Sequence, residues 1–120
     1  KDAPAYGFSP TGASWLPQPG VFGDLAVDQQ TGVPGSTLEL YRTLLAVRRE
    51  RRLGEGALAF VDLGEDLLAF DVTVGSQTTR VVVNLGPVPW PIPTGLEVLV
   101  ASEPSAAGTV GADQAVWLAV

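Results

Sequence analysis

Most side chains that run covalent or metal chemistry are missing from this sequence of 120 residues, which holds no His and no Cys. That excludes a Ser–His pair, a thiol nucleophile, a disulfide frame and an ordinary transition-metal cluster. Asp and Glu together number 13, so carboxylates are the candidates that remain. Glu65-Asp66 would supply adjacent acids, but they fall in a predicted hairpin turn, where water solvates charge and the shielding that catalysis needs is missing. Asp24 and Asp28 are four apart and would share a helix face. A hard cation wants about six or more oxygens, and neighbours that would supply them are lacking, so both read as surface acids. Gly7, Gly12 and Gly20 are scattered among prolines and neither follow a strand nor open a capped helix, so they form no phosphate cradle. Trp15, Trp90 and Trp117 are the residues able to stack on a sugar. Trp117 alternates with Val116 and Leu118 and reads as core or domain interface, whereas Trp90 sits between prolines, as an exposed platform or a packed lid. No catalytic, cofactor-binding or metal-ligating residue is assigned, and no cofactor is expected.

The elements that would position these groups are unevenly distributed. Residues 1–35 carry Pro4, Pro10, Pro17, Pro19 and Pro34 among six glycines, which breaks regular structure repeatedly. The same stretch holds Tyr6, Phe8, Trp15, Leu16, Val21, Phe22 and Leu25, more large apolar groups than a disordered linker carries. It reads as a long loop that packs on a body outside this sequence. Residues 36–54 follow as a helix, with Ser36 as N-cap, Glu39 completing a capping box and Gly54 taking the left-handed position that ends it. At about 100° per residue, Leu38, Leu40, Tyr41, Leu44, Leu45 and Val47 cover roughly half the circumference. That stripe is wide enough to be wedged between two bodies. Arg48 falls inside the apolar arc, so its guanidinium is expected to have a partner.

From residue 55 the period shortens. Residues 57–62 and 67–74 flank a turn at residues 63–66 and predict a hairpin, and residues 79–85 continue as a strand rich in β-branched side chains. The Pro-rich run 87–93 lacks too many donors for an inner strand and is an edge or a connection. Residues 96–101 and 114–120 are two more strands, separated by a Ser/Ala/Gly-rich loop. About five strands at this spacing make a small antiparallel sandwich or partly open barrel.

A formal net charge of −6 argues against a general nucleic-acid surface, since no excess cation displaces phosphate counterions. Arg42, Arg48, Arg49, Arg51 and Arg52 crowd one helix, where cations complement the partial charge of its C-terminal carbonyls. No run of about 18 apolar residues predicts a helix crossing a bilayer, and no membrane partner is expected. The start lacks the pattern of a signal peptide and the sequence has no Met, which points to an internal fragment or processed product; a cytoplasmic location is expected.

Several stretches in order carry a family resemblance. Tyr41-Arg42-Thr43-Leu44-Leu45-Ala46-Val47-Arg48-Arg49-Glu50 resembles the last barrel helix of α-glucosidases in the α-amylase superfamily, glycoside hydrolase family 13. Tyr6-Gly7-Phe8-Ser9 and Ser14-Trp15-Leu16-Pro17 resemble the loop after the eighth barrel strand. Pro34-Gly35-Ser36-Thr37-Leu38 resembles the start of the last helix, without the Asp that precedes it in the family. Ala69-Phe70 and Val81-Val82-Val83-Asn84-Leu85 are similar to two strands of the domain that follows.

The resemblance implies a mainly β chain in which residues 1–35 are the loop after the last barrel strand. Residues 36–54 would be the last helix of a (β/α)8 barrel, and residues 55–120 an antiparallel β-sandwich C-terminal domain. The family's Asp nucleophile, Glu acid/base and third Asp would lie upstream, as would the calcium or chloride sites of some members. The partner implied is the upstream catalytic barrel of the same protein, and an α-glucoside such as maltose would be met only through that parent. The chain alone is then structural and inactive. The alternative is a freestanding β-sandwich module that binds carbohydrate or protein through its Trp residues.

Overall fold

The computed structural model describes residues 1–103 and 108–120. Residues 104–107, part of the Ser/Ala/Gly-rich loop, lie outside the described residues. Two compact units divide the chain, Lys1–Arg42 and Thr43–Val120.

In the first unit, proline and glycine limit regular structure to single turns. These are 3-10 turns at Pro4–Gly7 and Gly20–Gly23 and one helical turn, α1, at Val27–Gln30. The half-buried Tyr6 ring lies against Gly23, where a Cβ would come within 3.0 Å of it. The main helix, α2, spans Thr37–Glu50 and crosses from the first unit into the second. Ser36 caps it: the Glu39 N–H donates to Ser36 Oγ at 3.3 Å. The Glu39 carboxylate does not complete the box, because the Ser36 N–H is already turned onto the Val33 carbonyl at 3.1 Å. It accepts instead from the Gly32 N–H at 2.9 Å and from Arg42 at 2.7 Å. No residue of α2 is buried.

The second unit opens with the end of α2. The left-handed residue there is Arg52 (φ 53°, ψ 36°), not Gly54. The Arg51 N–H still reaches the Val47 carbonyl, so the chain reverses only at Arg52, and Gly54 falls within a 3-10 turn, Leu53–Glu55. Arg48, expected to have a partner, is exposed, and the guanidinium that reaches the sheet is Arg51. Arg51 Nε donates to Thr79 Oγ1 at 2.6 Å and Nη2 to the Thr78 carbonyl at 3.1 Å.

The strands are β1 (Ala57–Val61), β2 (Leu67–Val74), β3 (Gln77–Asn84), β4 (Trp90–Pro91), β5 (Glu97–Ala101), β6 (Thr109–Val110) and β7 (Gln114–Ala119). Five of them form an antiparallel sheet ordered β1-β2-β3-β7-β5, and β4 pairs with β6 in a short ribbon. The Pro-rich run is thus mostly connection, since Pro89 and Pro91 flank Trp90 without donors. Gly75 at φ 61° lets β2 turn into β3 in two residues, so Gln77 already pairs with Val74.

Strand alternation gives the sheet two apolar faces. Ala69, Val82 and Val116 lie opposite one another across β2, β3 and β7. With Leu118 and Val110 they form the buried core, and Trp90 and Ile92 pack over it as a lid. Asn84 ties that lid down. Fully buried, it donates to the Val88 and Val110 carbonyls at 2.8 and 3.0 Å and accepts from the Gly86 N–H at 3.0 Å. On the other face a row runs across all five strands: Phe60, Phe70, Val81, Trp117 and Val100. Phe60 and Phe70 meet edge to face at 6.3 Å.

Replacing either tie should destabilise the fold. Asn84→Ala strands the buried Val110 carbonyl and Gly86 N–H along with the Val88 carbonyl, and is expected to cost about 2–4 kcal/mol in urea unfolding. Arg51→Ala removes a charged donor from the buried Thr79 hydroxyl and is expected to cost about 1.5–3 kcal/mol. Unchanged unfolding midpoints would show that neither tie holds the fold.

Candidate functional site

Residues that stand apart in the sequence as an acid pair and a lone aromatic meet in space. Leu63, Gly64, Glu65 and Asp66 form the turn between β1 and β2, shaped by the Gly64 N–H on Asp62 Oδ1 at 3.1 Å. Gly64, at φ 123°, takes a backbone conformation open to glycine. Asp66 rests over Gly86, where a Cβ would approach it to 2.5 Å, and the Asp66 carbonyl accepts the Leu85 N–H at 2.8 Å. Across from this turn stands the Pro89-Trp90-Pro91 segment. Between them lies an open cavity of about 260 Å³, lined by Glu65, Asp66, Leu67, Asn84, Val88 and Trp90 among others.

The remaining candidates stay apart. Trp15 is 95% exposed in the first unit. Trp117 is half-buried in the second face of the sheet, in line with its reading as core or interface. Lys1 Nζ pairs with Asp24 at 3.0 Å, and among the described residues no three acids gather where a metal ion could sit. Arg52 pairs with Glu55 at the end of α2, so the basic cluster there is partly neutralised internally.

A two-pronged, partly buried charge pair lies in the sheet. Asp71 and Arg80 are directly opposite on β2 and β3, and the guanidinium donates both Nε and Nη2 to the two carboxylate oxygens, at 2.7 and 2.8 Å. Those hydrogen bonds hold the Asp71 carboxyl below the usual carboxylate range, with partial burial opposing.

Relatives supply the context for this arrangement. No family model matches the chain. Over 88 residues it is 34% identical to the salivary alpha-glucosidase of Anopheles gambiae, covering 72% of this chain and 15% of that protein. Among solved structures, a variant of MutB bound to its substrate sucrose superposes with a TM-score of 0.76 at 26% identity, over 99% of this chain and 24% of its own. The chain belongs to the α-amylase superfamily, glycoside hydrolase family 13. The trehalulose synthase MutB from Pseudomonas mesoacidophila MX-45 gives a TM-score of 0.68 at 25% identity, over 88% of this chain and 21% of its own. The chain thus spans a quarter or less of the length of these superfamily members. It corresponds to the C-terminal region, a mainly antiparallel β domain accompanied by one main helix, as the order of resembling segments implies.

The Asp71–Arg80 pair predicts an acid limb in stability. A carboxyl with a lowered folded pKa stabilises the fold above its unfolded value of about 3.9, and the gain disappears as pH falls through the folded pKa. Asp71→Asn is expected to lower urea stability by about 1–3 kcal/mol near neutrality. The gap from the unchanged protein should close below about pH 4. A gap constant with pH would show that the pairing charge is irrelevant.

Proposed function

We propose that this chain is the C-terminal bracing region of an α-glucosidase that hydrolyses short α-glucosides such as maltose in carbohydrate metabolism. On this reading residues 1–35 are the loop after the last barrel strand and residues 36–54 the last barrel helix. Residues 55–120 are the C-terminal domain, and the catalytic barrel upstream is their partner. The reading includes a cytoplasmic location, which cell fractionation tests.

One observation carries the proposal: apolar surface built for packing is left open. No residue of α2 is buried, although six apolar residues cover half its circumference, and Tyr41 and Leu45 are 61% and 56% exposed. The second face of the sheet repeats this at Phe60, 75% exposed, and Leu58, 56% exposed. Water makes such surface costly, at roughly 1.5–3 kcal/mol per large side chain left unburied. The rest of a chain four or more times longer would supply the cover. The chemistry is assigned there too, because a retaining glycosidase holds two carboxyl groups about 5–5.5 Å apart across a shielded sugar. Here Glu65 and Asp66 are exposed, and Asp71 is occupied by Arg80.

Two measurements test this. The purified chain should release no glucose from maltose or a nitrophenyl α-glucoside, while the full-length protein should. In that full-length protein, Leu58→Asp with Phe60→Asp should remove about 1.5–3 kcal/mol of stability per side chain and so lower the temperature of inactivation without changing kcat. Turnover by the chain alone, lost on mutating one of its acids, would overturn the assignment. An unchanged inactivation temperature would overturn the bracing role. Products from sucrose then separate a hydrolase from a sucrose-rearranging enzyme.

A further inference from the structure

We infer that the cavity between the β1–β2 turn and Trp90 is a separate binding site for one ring of an α-glucan or other oligosaccharide. The choice of α-linked sugars rests on the function proposed above; the choice of a sugar rests on the cavity itself.

Its lining is amphiphilic in the way a pyranose is. A sugar ring presents an apolar C–H face and an edge of hydroxyl donors. Trp90, Leu67, Val88, Pro89 and Pro91 line it with apolar groups, and Glu65 and Asp66 in the same lining supply carboxylate acceptors. The other ligand classes fit less well. An anion would face two carboxylates. A hard cation lacks oxygens, since no group of three metal-binding side chains exists among the described residues. A quaternary ammonium wants a cage of aromatics, and here Trp90 is the one aromatic in the lining. At about 260 Å³ the space is below the roughly 300–1,000 Å³ of pockets for drug-sized ligands, so it suits a single ring with the chain leaving through the open side.

The walls are fixed before any ligand arrives. Asn84 holds the Val88 carbonyl and the Gly86 N–H, which sets the segment leading to Trp90. Trp90 is half-buried as part of the lid over the core, and its pairing with Val110 fixes its backbone. On the other side, the contact of Asp66 with Gly86 and the Leu85 N–H on its carbonyl set the acid-bearing turn. A preorganised site loses less on binding than a floppy one.

The experiment is a titration of the protein with maltose and maltotriose, followed by the NMR indole N–H signals of its three Trp residues. The Trp90 signal should shift and saturate with a Kd in the millimolar range, while Trp117 stays still. Because Trp90 also packs on the core, the deciding variant is Glu65→Gln with Asp66→Asn, on an exposed turn. It should weaken binding about tenfold while leaving the unfolding midpoint unchanged. An immobile Trp90 signal at saturating sugar, or equal affinity in the double variant, overturns the site. A full-length protein that binds here but hydrolyses nothing overturns the functional reading and leaves the site standing.

Discussion

A single buried amide holds the β domain closed. Asn84 ends β3 with its side chain on the core face, between Leu67 on β2 and Gln114 on β7, and it has no exposure to water. A polar group so placed must find partners inside the protein or cost several kcal/mol. It finds three, on the segments that lead into the lid: the Val88 carbonyl, the Gly86 N–H and the Val110 carbonyl on β6. The ribbon of β4 and β6 has only two residue pairs of its own, too few to be stable alone. Tied to Asn84, it becomes the lid that buries Val82, Val116 and Leu118.

The lid can cover only one side of the sheet. Strand alternation places Ala69, Val82 and Val116 under it and turns Phe60, Phe70, Val81 and Trp117 away. Part of that outer face is met by the segment leaving α2: Arg51 on Thr79, and Gly56 against Val72, where a Cβ would approach to 2.5 Å. Glycine is needed there because the segment crosses the strand at backbone distance. Towards β1 the cover thins among the described residues, so Leu58 and Phe60 stand open while Val72 and Val81 do not. The gradient from buried to exposed along one face is what an interrupted interface looks like, and it gives the superfamily assignment a physical counterpart in this chain.

Much of this was legible in the residues, for physical reasons that also mark where legibility stops. Period-two alternation with β-branched side chains located β2, β3, β5 and β7 to within about two residues, because local sterics and burial agree there. The two-residue strand β6 left no periodic signal, since pairing with β4 and the pull of Asn84 create it from outside. Ser36 was readable as a cap, but the Glu39 carboxylate went to Gly32, a choice fixed by how residues 30–35 fold back. The wheel placed Arg48 in the apolar arc, yet Arg48 is exposed and Arg51 is the guanidinium that reaches the sheet. Which arginine reaches it depended on Arg52 reversing the chain and aiming Arg51 at Thr79. Glu65-Asp66 and Trp90 were each visible as types; their meeting was not, because it depends on the lid. The one signal that pointed to it was Asn84 itself, a lone amide closing the run Val81-Val82-Val83 at an inward position.

The same geometry separates two uses of the domain. Leu67 and Asn84 belong to the core side of the sheet, so the cavity they line with Trp90 lies on the lidded side. Leu58 and Phe60 project from the other side, by the register that sets Phe60 opposite Phe70. A body docked over Phe60 therefore leaves the cavity mouth free, and a sugar held against Trp90 leaves the docking face unchanged. Coupling between them would have to pass through the sheet, where Val82 and Val116 pack as buried apolar side chains. Binding on one face then biases the other only by way of the buried polar groups Asn84 and Thr79, which already have partners within the domain.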